Sequence, residues 1–409
     1  MLPRLTAAFF VAGALILSAC ASGSPVAVTP VAGATLSTPR PLVILVSIDG
    51  FRADYLQRGA TPTLSALAAD GASGAMRPSF PSVTFPNHYT LVTGKHPDHH
   101  GIVGNSMVDP ELGRFTMASK EAAWWSQAEP IWITAEKAGL TSATMFWPGS
   151  ESENAGLRPT YWRAFDKELS GDVRVDQLLT WLDQPRRPDI ATLYFNIVDS
   201  AGHEYGPDAP ETLAATTSVD ASIARLIEGL KARGLYDNTV LVIVSDHGMA
   251  ATSPDRVMYF DDLIDRSALN IISSGPVVFL DAVPGREAEV EAALVKHHPH
   301  GDCWRKADIP ARFVLGSNPR VSSIVCSAGI GWVFGTRDRL MTRAGGAHGY
   351  DNQSPEMQAV FIAHGPGVAQ GRVLQNMDSV DVQPLLGRLL RIAVPAGDGN
   401  PTDGGAALQ

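Results

Sequence analysis

The chain has 409 residues, of which 45% are apolar, 18% are charged and 7% are aromatic. This apolar content can fill a complete hydrophobic core, which excludes intrinsic disorder, collagen-like repeats and a small scaffold held by disulfides. The 42 acidic residues outnumber the 32 basic ones, so the net charge is −10. The chain therefore lacks the basic surface of a protein that docks on a nucleic acid polymer.

Residues 1–20 have the pattern of an export signal. Arg4 precedes an apolar stretch at residues 7–17, and that stretch is too short to span a bilayer. The tetrad Leu17-Ser18-Ala19-Cys20 resembles a bacterial lipobox, in which the cysteine becomes lipidated and is the new N-terminus. We expect a protein held in the cell envelope, on the periplasmic side, by lipid on Cys20. An ordinary cleaved signal with an incidental Cys20 is the alternative.

Two features refine this expectation. Residues 21–40 are rich in Ala, Pro, Ser, Thr, Gly and Val and contain no aromatic residue, a composition typical of a flexible tether. Ala21 directly follows Cys20 and favours the outer membrane over retention in the inner membrane.

From residue 42 onward, short apolar runs alternate with helical patterns. The runs span residues 42–48, 142–146, 192–198, 239–245 and 359–363. They are apolar at both odd and even positions, as expected of strands buried on both faces of a parallel sheet. Helices are predicted over residues 62–70, with Thr61 as N-cap, and over about 217–233. This alternation predicts an α/β fold with a doubly wound sheet.

The stretch 251–345 interrupts this alternation. It has strand-like segments at 276–280, 312–315 and 322–326 and a helical pattern at 286–297, which predict a small α+β insertion. The core would then comprise residues 41–250 and 346–400, with 401–409 as a tail. If Cys20 is lipidated, Cys303 and Cys326 remain as a pair in an oxidising compartment, and we expect one disulfide. Two buried free thiols are the alternative.

Carboxylates and histidines follow three of the predicted strands and precede a fourth. In open α/β sheets such positions lie together at the carboxyl edge, where ligands bind. The six candidates are Asp49, Asp199, His203, Asp246, His247 and His348. Several carboxylates at one edge repel each other unless a cation lies between them. Asp and His ligands without thiolate favour zinc, with manganese or iron as alternatives, and six ligands suit a two-metal site.

Thr84 is the candidate nucleophile. It stands where a loop is predicted to enter a helix, with Pro86 in the first turn, and a helix N-terminus attracts anions through its free N–H groups. A metal there can activate a hydroxyl to attack phosphorus. The alternative is that Thr84 only caps the helix.

Together these motifs resemble the nucleotide pyrophosphatase/phosphodiesterase family of the alkaline phosphatase superfamily, over about residues 40–400. The resemblance includes the bacterial lipoprotein and periplasmic members of that family. The matching segments are Asp49-Gly50, Thr84 to Tyr89, His100 to Asn105, Asp199 with His203, Asp246 to Met249, and His348 to Tyr350. The resemblance implies an alkaline phosphatase-like core, with a mostly parallel central sheet flanked by helices.

The resemblance also implies two zinc ions per chain. One would be held by Asp49, Thr84, Asp246 and His247, and the other by Asp199, His203 and His348. Thr84 would form a covalent phosphoenzyme, and Asn105 would hold a phosphoryl oxygen together with the Thr84 N–H; a turn residue is the alternative for Asn105. Phe85 and Tyr194 match positions that stack a nucleobase, although both could be core aromatics.

The implied activity is that of a nucleotide pyrophosphatase and phosphodiesterase I, which releases nucleoside monophosphates from triphosphates, dinucleotides or nucleotide sugars. A phosphomonoesterase or a phospholipid-headgroup diesterase is the alternative within the superfamily. A surface lipoprotein without catalysis is a third interpretation, and the intact nucleophile and ligand set speak against it.

Seven other histidines are interpreted as lying outside the metal site. We expect one group to lie in loops and the other to be solvated. The loop group is His88, His96, His99 and His100, and the solvated group is His297, His298 and His300.

Overall fold

The computed structural model describes residues 40–409. The predicted signal at 1–20, the lipidation site Cys20 and residues 21–39 of the predicted tether lie outside the described residues.

The strands are β1 (Leu42–Ile48), β2 (Ala72–Arg77), β3 (Met107–Asp109), β4 (Gly113–Phe115), β5 (Ser142–Met145), β6 (Tyr161–Arg163), β7 (Ile190–Phe195), β8 (Thr239–Val244), β9 (Ala250–Thr252), β10 (Val257–Tyr259), β11 (Leu269–Ser273), β12 (Val277–Ala282), β13 (His297–His298), β14 (Gly301–Arg305), β15 (Ile324–Ala328), β16 (Val333–Gly335), β17 (Gly345–Ala347), β18 (Ala359–His364) and β19 (Arg372–Asp378). The helices are α1 (Pro62–Asp70), α2 (Thr84–Thr93), α3 (Pro97–His100), α4 (Ala122–Trp125), α5 (Ile131–Lys137), α6 (Gly171–Leu182), α7 (Ile197–Tyr205), α8 (Pro210–Ala232), α9 (Glu287–Leu294), α10 (Val382–Leu390) and α11 (Pro401–Gly405). Short 3₁₀ turns join several of these elements.

The central sheet has eight strands in the described part of the chain, in the order β19-β2-β18-β8-β1-β7-β5-β6. β1 pairs in parallel with β7 and β8, whereas β18 runs antiparallel to both of its neighbours. The α/β class is confirmed, but the predicted parallel direction is wrong for residues 359–363. An apolar run reports burial on both faces and carries no information about strand direction.

The apolar character of β1 at every position has a direct structural cause. Val43 and Leu45 pack into one hydrophobic core, while Ile44 and Val46 pack into another on the opposite face of the sheet. Each face is covered, so every side chain of the strand is buried. This two-sided burial places the carboxyl end of β1, with Asp49, in the interior of the protein.

Predicted boundaries differ from the structure in two places. The helix predicted over about 217–233 begins earlier, because α8 spans Pro210–Ala232. The run 192–198 contains the end of β7, but its last residues begin α7, so Asp199 lies in the first turn of a helix. Buried strand and buried helix residues are equally apolar, and the pattern does not mark the junction. Thr61 does occupy the N-cap of α1 but makes no capping bond there. The Asp220 carboxylate of α8 accepts from the Leu64 N–H at 2.8 Å instead.

The insertion is bounded by β9 and β17, which pair antiparallel with each other. It contains an antiparallel sheet in the order β11-β12-β15-β14-β13, together with α9. The strand predicted at 312–315 is wrong, because residues 311–313 form a 3₁₀ turn that packs Phe313 against Phe80. His298 is also not solvated, since it is buried and bonds to the Leu294 carbonyl at 2.9 Å.

Two buried side-chain interactions fasten the insertion to the core. The Asp98 carboxylate accepts hydrogen bonds from the backbone N–H groups of Gly316, Ser317 and Asn318. The buried Arg320 pairs with Asp109 at 2.8 Å and also donates to backbone carbonyls of the core. These bonds hold the insertion in a defined position beside the edge of the central sheet.

The chain after the last sheet strands also packs on the core. Residues 401–409, predicted as a tail, contain the short helix α11, and Ala407 is buried. Within residues 40–409, the helices are all too short or too polar to cross a membrane.

Cys303 and Cys326 face each other across β14 and β15 and form a disulfide, as predicted. Replacing both by serine should lower the free energy of unfolding by about 3 kcal/mol, because the bridge closes a loop and restricts the unfolded chain. Urea denaturation of the oxidised wild type and the double variant would measure this difference. Equal midpoints for the two proteins would show that the bridge does not stabilise the fold.

Candidate active site

The structure brings the six predicted ligands and Thr84 together at the carboxyl edge of the central sheet. Asp49 follows β1, and Asp246 and His247 follow β8, which is its neighbour. Asp199 and His203 lie on one face of α7, four residues apart, as the helical period requires. The remaining ligand, His348, directly follows β17 at the end of the insertion.

The first cluster surrounds the imidazole of His247. Its Nε2 atom lies 3.4 Å from Asp49 Oδ1 and 3.0 Å from Asp246 Oδ2. The Thr84 hydroxyl lies 3.3 Å from the same nitrogen. Four potential ligand atoms therefore point toward one position, with the candidate nucleophile among them.

The second cluster lies beside the first. His203 Nε2 and His348 Nε2 are 3.4 and 3.5 Å from Asp199 Oδ1, and 3.1 Å from each other. The rings of His247 and His348 stack with their centroids 3.6 Å apart. Two groups of the described residues lie close enough together to hold a metal ion, one of Asp49, Asp246 and His247 and one of Asp199, His247 and His348. The assignment of His203 to the second ligand set stays a prediction.

All three histidines are oriented by a backbone carbonyl. The Nδ1 atoms of His203, His247 and His348 lie 2.8, 2.9 and 3.0 Å from the carbonyl oxygens of Gly346, Gly248 and Ser82. A carbonyl can only accept, so each Nδ1 carries the proton and each Nε2 presents a lone pair. Metal-binding histidines characteristically have such a partner on the second nitrogen.

The carboxylate atoms that face the clusters lack partners. Asp49 Oδ1, Asp199 Oδ1 and Asp246 Oδ2 are buried and accept no hydrogen bond from the described residues. Buried carboxylate oxygens are normally satisfied by donors or by metal ions. These unsatisfied oxygens, together with the three oriented imidazoles, fit two divalent cations.

The charges around these carboxylates support the same assignment. Burial raises the pKa of Asp49 well above its usual value, and repulsion from Asp246 and Asp199 raises it further. Burial also raises the pKa of Asp246, but attraction to His247 and His88 outweighs this and holds the pKa well below its usual value. A divalent cation between the carboxylates would relieve the repulsion around Asp49.

Thr84 is the first residue of α2 and Val83 is its N-cap. The loop before it is held by Asn87, whose amide donates to the carbonyls of Ser79, Pro81 and Val83. The Thr84 N–H makes no hydrogen bond to the described residues, as expected for a free donor at a helix N-terminus. An anion beside the Thr84 hydroxyl would therefore meet an available N–H group.

Asn105 lies beside this helix terminus. Its Oδ1 atom accepts from the Phe85 N–H at 2.9 Å, so Nδ2 is the atom of this amide that remains to donate. That amide group donates to no atom of residues 40–409 and is available to an incoming oxygen. The structure thus places Asn105 and the Thr84 N–H as two donors near the candidate nucleophile.

His88 was predicted to be a loop residue, and this prediction is wrong. It lies on α2 four residues after Thr84, is fully buried, and contacts the Thr84 carbonyl at 2.9 Å through Nδ1. The same nitrogen is 3.2 Å from Asp246 Oδ2, and Nε2 is 2.8 Å from Ser47 Oγ. His88 stands four residues after Thr84, and residues with this spacing lie on the same face of a helix. The spacing is therefore a signal in the sequence that His88 lies one helical turn from the nucleophile.

Of the other histidines predicted to lie in loops, His100 is also buried. It ends α3 and contacts the Thr90 hydroxyl at 3.0 Å. His99 also lies in α3 and not in a loop, and it is exposed and pairs with Asp398.

A cavity of about 330 Å³ opens next to Thr84, Asp49 and Asp199. We call it the aromatic cavity, because four rings contribute to its wall. The rings belong to Phe85, Trp147, Phe165 and Tyr194. Phe165 is 46% exposed, whereas Tyr194 is only 8% exposed and donates its hydroxyl to Asp49 Oδ2 at 2.6 Å.

The sequence analysis included Phe85 and Tyr194 but missed Trp147 and Phe165. Trp147 follows β5, so its place after a predicted strand was a usable signal. Phe165 lies in a loop, and nothing in the surrounding sequence indicates that it reaches the site.

A buried cation supports one wall of this cavity. Arg174 is 1% exposed and pairs with no carboxylate within residues 40–409. It donates to the Tyr194 carbonyl, the Asn196 side chain and the Leu169 carbonyl at 2.8–2.9 Å. Arg174 thereby ties the end of β7 to the loop that follows Phe165.

A threonine hydroxyl at a helix N-terminus, beside two Asp/His clusters on an α/β sheet, defines a metal-dependent enzyme of phosphoryl transfer. The comparison with protein families shows to which family this enzyme belongs. Residues 43–351 match the family model described as type I phosphodiesterase / nucleotide pyrophosphatase. The chain belongs to this family of hydrolases, as the resemblance implied.

Curated relatives agree with this assignment. The chain is 38% identical over 386 residues to an uncharacterized pyrophosphatase/phosphodiesterase of Schizosaccharomyces pombe, covering 89% of this chain and 79% of that protein. It is 37% identical over 372 residues to ectonucleotide pyrophosphatase/phosphodiesterase family member 3 of Bos taurus, covering 86% of this chain. It spans 42% of the length of that bovine protein.

A solved structure shows the same fold. The murine ectonucleotide pyrophosphatase/phosphodiesterase 5, solved as an inactive threonine-to-alanine variant in complex with AMP, superposes with a TM-score of 0.87. The match has 34% identity and covers 90% of this chain and 100% of the murine one. The alkaline phosphatase-like fold is thereby confirmed.

Proposed function

We propose that this protein is a zinc-dependent nucleotide pyrophosphatase/phosphodiesterase that releases nucleoside 5′-monophosphates through a phosphothreonine at Thr84. One observation carries the proposal. The Thr84 hydroxyl lies 3.3 Å from His247 Nε2, beside two ligand clusters, and Thr84 lines the aromatic cavity. The complex of the murine relative with AMP supports a nucleotide as the substrate.

Each of these residues has its own role in the proposed reaction. The Thr84 hydroxyl oxygen attacks phosphorus and loses its proton to solvent, while the bond from phosphorus to the leaving oxygen breaks and that oxygen departs with the electron pair and the rest of the substrate. The Thr84 N–H and Asn105 Nδ2 stabilise negative charge on a phosphoryl oxygen. Water then hydrolyses the covalent intermediate, which frees the nucleoside monophosphate and restores the hydroxyl. His88 holds the first turn of α2 in place through its contact with the Thr84 carbonyl.

Asp49, Thr84, Asp246 and His247 would hold one cation, and Asp199, His203 and His348 the other. When bound, the two ions supply positive charge that favours a deprotonated hydroxyl and stabilises the charge of the transition state. Asp and His ligands without thiolate favour zinc among the common divalent ions.

The products formed by the purified, zinc-loaded protein test this function. ATP and a dinucleotide should both yield AMP, and a phosphate monoester should react much more slowly. Rapid release of phosphate from the monoester would assign a phosphomonoesterase instead. Release of a headgroup phosphate from a phospholipid, without cleavage of either nucleotide, would assign the phospholipid diesterase.

The aromatic cavity gives a more specific prediction about nucleotide binding. Phe165→Ala should lower kcat/KM for a nucleotide substrate by about 5- to 150-fold, since stacking contributes about 1–3 kcal/mol per base. A p-nitrophenyl phosphodiester without a base should lose much less. Equal losses on both substrates would show that Phe165 does not contact the base.

Tyr194→Phe is the matched variant for this test. It keeps the ring but removes the hydroxyl that donates to Asp49, so both substrates should be affected to the same extent. Whether the Tyr194 ring also stacks on the base stays a prediction.

We also propose that the protein is a bacterial envelope lipoprotein, anchored on the periplasmic side, in the outer membrane, by lipid on Cys20. The lipobox-like tetrad and the tether-like composition of residues 21–40 support this. Cys20→Ser should move the protein from the membrane fraction to the soluble or unprocessed pool, because the acyl chains would be its anchor. Cell fractionation would measure the change. A variant that stays membrane-bound after signal removal would contradict the anchor.

A further inference from the structure

The imidazole of His88 contacts three segments that supply ligands of the first cluster. Ser47 lies on β1, two residues before Asp49, and its hydroxyl is 2.8 Å from His88 Nε2. Thr84 begins α2, and its carbonyl oxygen is 2.9 Å from His88 Nδ1. Asp246 follows β8, and its Oδ2 atom is 3.2 Å from the same Nδ1 atom. One buried ring therefore joins β1, α2 and the end of β8.

The partners of this ring define its tautomer. The Thr84 carbonyl can only accept, so Nδ1 carries a proton and donates it there. In the neutral ring, Nε2 then accepts from the Ser47 hydroxyl, and this hydrogen bond keeps the proton on the other nitrogen. The positive end of the Nδ1–H bond thus lies beside the Asp246 carboxylate.

Packing holds the ring in this orientation. His88 is fully buried, and the rings of Trp147 and Tyr194 pack against it at steep angles, each with its centroid 5.1 Å away. Trp147 Nε1 also donates to the His88 carbonyl at 2.9 Å. A close-packed interior leaves a buried ring no space to turn. The distances from His88 to its polar partners are therefore fixed.

The Asp246 carboxylate is held at both of its oxygens. Oδ1 lies 3.3 Å from the Gly50 N–H and 3.3 Å from the Ser245 hydroxyl, whereas His88 faces Oδ2. Oδ2 is the atom that lies 3.0 Å from His247 Nε2 in the first cluster, and it accepts no hydrogen bond from the described residues. His88 therefore fixes the direction of the oxygen that remains for a cation. Partners of this kind orient metal ligands in proteins.

We propose that His88 is a positioning residue that sets the zinc affinity of the first cluster. It orients Asp246 Oδ2 toward the cation and holds this oxygen at a fixed distance from the first turn of α2, which carries Thr84. Ser47 supports this role by fixing the tautomer of the ring. The inference rests on the proposed function and adds a residue that acts through the ligand Asp246.

Zinc titration of the metal-free protein, in competition with a chromophoric chelator, tests the proposal. His88→Leu should weaken the binding of one ion by about 10- to 100-fold, as is usual for partners of metal ligands, and leave the other ion at its wild-type affinity. His88→Asn should restore most of the loss, because an amide nitrogen can replace Nδ1 as the donor to the Thr84 carbonyl. Ser47→Ala should weaken the same ion about fivefold, because the ring loses one hydrogen bond.

His100→Leu is the matched control for a buried histidine. His100 is also fully buried, and its ring contacts the Thr90 hydroxyl and the Pro86 carbonyl at 3.0 and 3.1 Å. This variant should lower the Tm but keep the wild-type affinity for both ions. Wild-type affinity for both ions in His88→Leu, or an equal loss at both, would overturn the proposal. If His88→Leu does not fold, wild-type affinity in Ser47→Ala would overturn it.

Steady-state kinetics at saturating zinc give a second measurement. His88→Leu should lower kcat for nucleotide cleavage and leave KM close to the wild-type value, because His88 holds the turn that carries the nucleophile and is itself fully buried. A rise in KM with unchanged kcat would overturn the positioning role. If the wild type releases no AMP from any nucleotide, the proposed function fails. The zinc titration contains no nucleotide, so it still decides the role of His88.

Discussion

Thr84→Ala should lower kcat/KM for nucleotide cleavage by at least about 10⁴-fold, as expected when a covalent nucleophile is removed. Asp49, Asp246 and His247 retain their ligand atoms in this variant, so its zinc content should stay close to that of the wild type. Steady-state release of AMP, together with elemental analysis of the same preparation, would measure both quantities.

Two variants serve as controls for this experiment. Thr84→Ser keeps a hydroxyl at the helix N-terminus and should retain measurable activity. Thr63→Ala removes a threonine from the first turn of α1, away from the active site, and should behave as the wild type does. Acid quenching of the wild type during turnover should trap a nucleotidyl group on the peptide that contains Thr84. Full activity of Thr84→Ala would exclude the covalent mechanism.

Exhaustive chelation should abolish activity, and zinc should restore it. Without cations, the unsatisfied carboxylate oxygens of Asp49, Asp199 and Asp246 face each other in the interior, so chelation should also lower the Tm. Elemental analysis of the active protein should find about two metal ions per chain, as a two-metal site requires. Activity that survives chelation, with no metal detected, would contradict the site assignment.

Replacing one ligand distinguishes the metal ion held by one cluster from the ion held by the other. His203→Ala should keep the cluster around His247 and retain about one metal ion per chain, with little activity. His297→Ala is the matched control, because His297 is exposed and pairs only with Asp302 in the described structure. It should retain both ions and full activity. If His203→Ala still binds two metal ions tightly, His203 is not a metal ligand.

The central elements of the fold were predictable from local patterns. The run at β1 is apolar at every position because each face of the sheet is covered by a separate core. In contrast, β2 and β19 have few large apolar residues, and their burial patterns are mixed. These two strands lie at one side of the sheet. Their own residues favour a strand only weakly, and pairing with the neighbouring strands stabilises them. Pattern analysis therefore missed them.

The chemistry of the site was predictable for a similar reason. The carboxyl ends of neighbouring parallel strands meet at one edge of the sheet. Asp and His residues that follow such strands therefore lie close together, and this pattern predicts a metal site. The same logic could not assign His88, since its importance arises from its contact with Asp246, far along the chain. Phe165 likewise reaches the aromatic cavity through a contact between distant segments, since its ring packs against that of Tyr194 on β7 and Arg174 donates to the Leu169 carbonyl of the same loop.

The sequence by itself determined the α/β class and the family, and it predicted the ligand types and the nucleophile, because each depends on residue identity and short-range spacing. Only the tertiary structure decided that β18 runs antiparallel, that Tyr194 bonds to Asp49, and that the insertion forms a second cavity beside His203 and His348. Those features depend on contacts between segments separated by many residues. Such contacts follow from packing, which no local pattern encodes.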